Sequence, residues 1–142
     1  MNYNKQDLIT YRLDKSLTTF EEAKSLSLNM FWGWAANRLY YCCFYAVLAL
    51  FAKDDISTST HNGVRTEFFK RYIKTELLDK ELSSIYSNLM NKRQESDYDD
   101  FLEFSKEEIE PLFKDVQLFL DTIRELIEKW FAQLMIRNKL LH

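Results

Sequence analysis

Leu13, Leu17 and Phe20 recur at spacings of four and three, with Leu8 a turn earlier and Leu26 later, while Lys15, Glu21, Glu22 and Lys24 lie off that line. This pattern predicts a first helix over about Asn4 to Leu28. A short link, Asn29 to Gly33, leads to a second helix over about Trp34 to Lys53. Within it, Leu39 to Ala52 is an unbroken apolar run with Arg38 and Lys53 at its ends. A helix that is apolar all round has neighbours on most sides, and the run is shorter than the ~20 residues a membrane span needs. It therefore reads as the central core helix.

Asp54 to Thr60 is polar and rich in capping residues, so it reads as a loop. A third helix is expected near His61 to Lys74, with Val64, Phe68 and Tyr72 inward. A fourth, from about Asp79, turns Leu82, Ile85, Tyr86, Leu89 and Met90 inward and ends within the acidic stretch Gln94 to Glu103. Ser105 and Glu108 form a capping box, flanked by Phe104 and Ile109 at the positions of a hydrophobic staple. The last helix should start there, with Pro111 costing a hydrogen bond and bending its first turns. Val116, Phe119, Ile123, Ile127, Trp130 and Leu134 continue the stripe almost to the C-terminus. Unbroken to Leu141, that helix would be about 55 Å long and would overhang the others. Short polar connections favour antiparallel neighbours, so the expected fold is an all-α, up-and-down bundle of about five helices in a single domain over residues 1–142.

Composition narrows the choice further. Two glycines and one proline in 142 residues cannot supply the turns of a β-sandwich, a Rossmann fold or a phosphate-binding loop. A net charge of −3 rules against a strongly basic, sequence-blind nucleic-acid binder. The adjacent Cys42 and Cys43 cannot form a standard structural disulfide and read as small core residues in a reducing compartment. Residues 1–6 lack the apolar stretch of a signal peptide, so a cytoplasmic protein without membrane association is expected. With only two histidines, His61 and His142, no zinc site of ordinary spacing can be assembled, and neither a metal nor a cofactor is expected.

Arg93 lies eleven residues after Leu82, close to three helical turns, and so falls on the buried line of the fourth helix. Asp97, four residues on, is placed to pair with it. Two readings follow: a structural pair closing the helix end, or an anion-binding guanidinium oriented by Asp97. Asn37 and Arg38, at the head of the apolar run, are expected to face the same cleft. Arg65, Lys70, Arg71 and Lys74, against Glu67, give a local positive excess that Lys92 extends. His61 reads as a cap or loop contact. The aromatic residues of the second helix read as core packing, with room for a tyrosine hydroxyl at the cleft rim.

Ala35 to Ala46, reading AANRLYYCCFYA, resembles the Arg-x-Tyr-Tyr-x-x-Phe-Tyr-Ala signature of the HEPN domain family. Thr60-His61-Asn62-Gly63-Val64, Phe68-Phe69 and Arg93-Gln94-Glu95-Ser96-Asp97-Tyr98 follow in the order of its small single-domain bacterial branch. The resemblance spans about residues 5–130 and leaves 131–142 as a C-terminal helical extension. It implies a helical bundle that dimerises, binds RNA or a nucleotide and belongs to a toxin-antitoxin pair, with a nucleotidyltransferase as antitoxin partner. The family's metal-independent RNA cleavage uses an Arg followed four to six residues later by His. By resemblance Arg93 holds the phosphate, Asp97 orients it, and Tyr98 stands where the His would be; Tyr98 is also the candidate acceptor of an AMP group. Weak ribonuclease activity is one implied function. A non-catalytic helical dimerisation module partnering a nucleotidyltransferase is the other. A literal Arg-x4-His also occurs at Arg137 to His142, beyond the family's motif region.

Overall fold

Asn4 caps the first helix by accepting the Asp7 backbone N–H at 2.8 Å, and α1 then runs Lys5–Leu28. The structure, a computed structural model, describes residues 4–98 and 103–141. The second helix, α2, is Trp32–Lys53. The ammonium of Lys5 meets the Lys53 carbonyl and Asp55, Arg12 meets the Leu48 carbonyl, and Ser16 meets the Cys42 carbonyl. One number falls as the other rises, so α1 and α2 are antiparallel.

The face that α1 buries differs from the leucine line read in its sequence. Ile9, Ser16, Thr19, Phe20 and Ala23 are buried, whereas Leu8, Leu13, Leu17 and Leu26 are half-buried at its flanks. Small side chains let the two helices approach closely. The Ser16 hydroxyl is satisfied by donating to the Cys42 carbonyl at 2.7 Å. The link between the helices is also shorter than expected. Met30 adopts φ 61°, and Phe31 N–H returns to the Leu26 carbonyl at 2.9 Å. This left-handed residue reverses the chain within one turn, so α2 already begins at Trp32 and Gly33 lies inside it.

α2 is long and apolar enough to cross a membrane by length and composition, and 72% of that apolar window is buried in the bundle. Leu39, Tyr40, Cys42, Cys43, Val47, Leu50 and Phe51 are all fully buried. Burial pushes the Cys42 thiol up to about 12 and Cys43 well above its ordinary value, which makes both inert as nucleophiles.

Beyond α2, Thr60 caps α3 (His61–Phe68) by accepting the Gly63 N–H at 3.1 Å. The third helix does not stay α-helical to Lys74: Phe69–Ile73 form a π-helical turn. The wider turn keeps Val64, Phe68 and Tyr72 on one buried line and lets the Tyr72 hydroxyl donate to the Leu50 carbonyl and to the Asp54 carboxylate. The fourth helix, α4, is Lys80–Tyr98, with Leu82, Ile85, Tyr86, Leu89 and Met90 buried.

Ser105 accepts the Glu108 N–H at 3.3 Å, as the capping box requires, but the helix it opens is short. α5 is Lys106–Ile109, and α6 is Leu112–Leu141. One bent helix is expected here from the sequence, and the structure has two. Pro111 has no N–H to give and its ring excludes a continuous helical path, so the chain turns at Glu110 and Pro111 before restarting. Counting α5 and α6 as one interrupted arm gives the five-helix, all-α bundle. α6 buries Val116, Phe119, Leu120, Ile123 and Ile127. Past Ile127 its side chains are half-buried or exposed, and the helix overhangs.

Candidate functional site

The polar members of α2 mark where its apolar surface is interrupted. Asn37, Tyr40, Tyr41 and Phe44 share a face at helical spacing, and α3 and α4 pack across it. His61, the first residue of α3, enters this face. Its ring centroid lies 4.9 Å from Phe44, 5.6 Å from Tyr40 and 5.8 Å from Tyr41. Its Nδ1 shares a hydrogen bond of 2.7 Å with the Tyr40 hydroxyl. The cap of α3 is Thr60, not His61, so the reading of His61 as a cap or loop contact is corrected: the imidazole belongs to the interhelical ring cluster.

Arg93 descends from α4 onto the same rings. Its guanidinium carbon stands 5.3 Å from the Tyr40 centroid and 5.6 Å from that of Tyr41. Arg38 approaches Tyr41 as well, at 5.0 Å. Two guanidinium groups thus share one tyrosine ring, whose π-face attracts cations. Asn37 fixes Arg38 by accepting from its Nε at 3.2 Å and its Nη2 at 2.9 Å.

The counter-charges are loosely held. Asp97 stands 3.6 Å from Arg93 Nη2, and Glu22 stands 3.8 Å from Arg38 Nη1, both beyond good hydrogen-bond distance. The arginine side chains are 18% and 29% exposed, the carboxylates 53% and 51%. The cations are held in place by aromatic packing, while the anions are half in water and easily displaced. Among the described residues, no hydrogen bond occupies the Arg93 guanidinium.

His61 sits below its ordinary pKa, first through burial and then through the Arg93 charge, with Asp97 pulling the other way. Burial raises the phenol of Tyr40, so it remains a protonated hydroxyl. At neutral pH the centre therefore offers a neutral imidazole beside two fixed cations. This combination suits an anion whose neighbouring atoms gain or lose a proton. Among the described residues, no three His, Cys, Asp or Glu side chains gather as a metal site.

The wider basic surface is placed elsewhere. Arg65 lies one turn beyond His61, against Phe69 at 5.5 Å, with Nη2 reaching Ser87 Oγ at 3.5 Å. Arg71 is engaged by Glu67, which it holds below the usual carboxylate range, and borders a groove of about 490 Å³ with Asp55, Thr58 and Gly63. Lys92 lies over Phe104 at 5.6 Å. No described contact joins Arg71 or Lys92 to the Arg93 cluster. Tyr98 is the last residue of α4, and its side chain lies outside the described part of the structure. Arg137 is exposed on the overhang of α6, and His142 lies outside the described residues.

Sequence reasoning does not assign His61 to a site, and it reads the tyrosines of α2 as core packing with room for one hydroxyl at the cleft rim. Their signal is a set of polar side chains on one line of a helix otherwise apolar all round, followed by a histidine directly after a capping threonine. Gly63 helps to place that histidine. A Cβ on Gly63 would fall 2.5 Å from Thr58 Oγ1 and 2.6 Å from Thr60 Oγ1, so the loop hydroxyls press directly on the first turn of α3.

Bundle and site together define a class: an all-helical domain with a cationic, tyrosine-lined centre between its second, third and fourth helices. A family model, the HEPN domain, matches residues 9–126, and the chain belongs to that family. It is 34% identical over 124 residues to a UPF0332 protein of Thermotoga maritima, covering 87% of this chain and 94% of that one. It is 37% identical over 118 residues to the Methanocaldococcus jannaschii protein named "Putative toxin MJ0142", covering 82% of this chain and 80% of the relative.

Proposed function

We propose that this HEPN protein acts as the toxin-type member of a pair and binds phosphate-bearing ligands, RNA foremost, at the Arg93–Arg38–Tyr41 centre. The observation that carries this reading is the pair of guanidinium groups on one tyrosine ring, each facing, among the described residues, only a distant, half-exposed carboxylate. A phosphate can replace Asp97 at Arg93 and make the charge-assisted hydrogen bonds that the carboxylate does not. Tyr41 and Phe44 add aromatic surface beside the anion, which suits a nucleotide better than a bare phosphate. The name of the M. jannaschii relative supports the toxin-type assignment.

Fluorescence anisotropy with a labelled single-stranded RNA tests it. Arg93→Ala and Arg38→Ala should each weaken binding by about tenfold or more and lower the salt slope by ~0.7 for each phosphate no longer neutralised. Unchanged affinity in Arg93→Ala would overturn the reading.

A second role, as an interaction module, is favoured by the overhang of α6. Trp130, Phe131 and Leu134 are half-buried there, and Met135, Ile136, Leu140 and Leu141 are exposed. A second copy of the chain or a nucleotidyltransferase partner would cover them. Sedimentation of the pure protein, alone and with a candidate partner, reads this directly: a lone monomer under both conditions removes the role.

A further inference from the structure

Tyr86, on α4, carries a hydroxyl that the centre described above does not use. The residue is fully buried, and among the described residues that hydroxyl has no partner in good hydrogen-bond geometry. Its ring centroid lies 5.8 Å from that of Tyr40, whose own hydroxyl shares the 2.7 Å hydrogen bond with His61 Nδ1. Tyr86, Tyr40 and the partly exposed His61 thus form a row from the core to the surface.

The polar groups that act on the Tyr86 phenol are the Tyr40 hydroxyl, the Cys43 thiol and the Arg65 guanidinium. A guanidinium only donates and a thiol accepts weakly, so the Tyr40 oxygen is the one good acceptor among them for the Tyr86 proton. Burial raises both phenols. Tyr40 raises Tyr86 further, whereas the Tyr86 hydroxyl lowers Tyr40, as follows when Tyr86 donates and Tyr40 accepts.

We propose that this row of hydroxyls fixes the proton of the neutral His61 ring on Nε2 and so makes His61 a hydrogen-bond donor to the oxyanion that Arg93 binds. The ligand half of the proposal rests on the phosphate-binding reading above; the tautomer does not.

The row can run in two directions. If Nδ1–H donates to the Tyr40 oxygen, Tyr40 must send its proton inward to Tyr86, and the Tyr86 proton is left in the core without a good acceptor. A buried donor left unpaired is costly. In the opposite direction Tyr86 donates to Tyr40 and Tyr40 donates to Nδ1, so every buried proton is used. What remains is Nε2–H at the outer end, where water or a ligand satisfies it. A row closed at its buried end runs outward.

A lone pair on Nε2 would repel an oxyanion, whereas an N–H adds a directed bond to it without adding charge. His61 from α3 and Arg93 from α4 both lie against Tyr40 and Tyr41. The titratable and charged groups facing His61 are those two tyrosines from α2, with Arg93 and Asp97 from α4. Burial and then the Arg93 charge keep the ring neutral, against the pull of Asp97. Tyr40 and Tyr86 act through His61 and are positioning residues.

Long-range proton–nitrogen correlation NMR of the nitrogen-15-labelled full-length protein at neutral pH reads which ring nitrogen carries the proton, with His61→Gln identifying the His61 signals. The proton is expected on Nε2; a proton on Nδ1 overturns the proposal. Tyr40→Phe removes the proton given to Nδ1, so the His61 titration should move up, and Tyr86→Phe should move it the same way by less. No movement in either variant overturns the row. Binding is read by anisotropy with labelled single-stranded RNA. His61→Gln, which keeps an N–H near the place of Nε2, should stay within about threefold of wild type, whereas His61→Leu, without a donor, should lose about tenfold. Equal affinity in all three proteins overturns the donor role. Circular dichroism establishes that each variant retains its helices. Unchanged affinity in Arg93→Ala removes the phosphate-binding reading and the ligand half with it, while the NMR result still decides the tautomer.

Discussion

Two buried tyrosines tie α3 and its π-helical continuation to α2, one toward each end of that helix, and they are put to different use. At the C-terminal end, Tyr72 donates to the Leu50 carbonyl and to Asp54, and its ring stacks on Phe51 at 6.3 Å with 16° between planes. Asp54 also pairs with Lys53 at 2.7 Å. Toward the N-terminal end, Tyr40 meets an imidazole whose other nitrogen has no partner among the described residues, near an arginine whose carboxylate partner is 3.6 Å away. The first arrangement is closed, with donors matched to acceptors. The second, among the described residues, has Arg38 hydrogen-bonded by Asn37 alone and Arg93 with a long ion pair in place of a hydrogen bond. Similar residues in similar burial thus make a clasp at one end and a receptive centre at the other; the difference lies in whether the polar groups are already satisfied.

The sharpest way to break this comparison is through stability. Tyr72→Ala should cost about 3–5 kcal/mol in urea unfolding, because it opens a cavity against Phe51 and Phe68 and removes the clasp. Tyr72→Phe should cost about 1 kcal/mol, the net worth of the hydroxyl's hydrogen bonds. A loss below about 1 kcal/mol in Tyr72→Ala would remove the structural assignment of that end.

Arg93→Met should change stability by less than about 1 kcal/mol. The thioether replaces the aliphatic stem, and among the described residues the guanidinium surrenders its cation–π attraction and a long ion pair. A loss of several kcal/mol would recast Arg93 as a structural bond to Asp97. The same variant should nonetheless lose RNA affinity, which separates the two roles of the residue.

The smallest effect concerns pH. The folded protein holds His61 below its ordinary value of 6.5, so the unfolded chain binds the extra proton. Stability is therefore full above that value and declines as pH falls through 6.5 toward the lower folded pKa. His61→Gln should flatten this decline in urea midpoints measured between about pH 7.5 and about 5. Identical slopes would show that the imidazole titrates as it would in water.

Much of the bundle is legible in the sequence because local rules act alone there. The apolar run of α2, the Val64–Phe68–Tyr72 line, the inward residues of α4 and the Ser105 cap each follow from spacing or capping chemistry. The departures arise where neighbours decide. The buried line of α1 turns away from its leucines because close packing on α2 rewards Ser16 and Ala23. The arm after Ser105 divides because Pro111 falls too far inside the helix for its first turn to absorb it. Arg93 and Asp97 could be paired by their four-residue spacing, and Arg38 could be located by its place at the head of the apolar run. His61 could not, because its role depends on α3 delivering it onto Tyr40 and Tyr41, a contact across 21 residues of chain that no periodicity encodes.

One constraint on the His61 imidazole sits two residues away from it, at Gly63. An alanine at position 63 would drive a methyl group into the threonine hydroxyls of the loop, one of which supplies the cap of α3. Relief requires that Thr58 turn its hydroxyl away and that the Thr60 cap be surrendered, at about 0.5–2 kcal/mol, or that the helix start shift. Either response shifts residue 61 against Tyr40 and Tyr41, so one added carbon atom would detune the centre while leaving all of its functional groups in the chain.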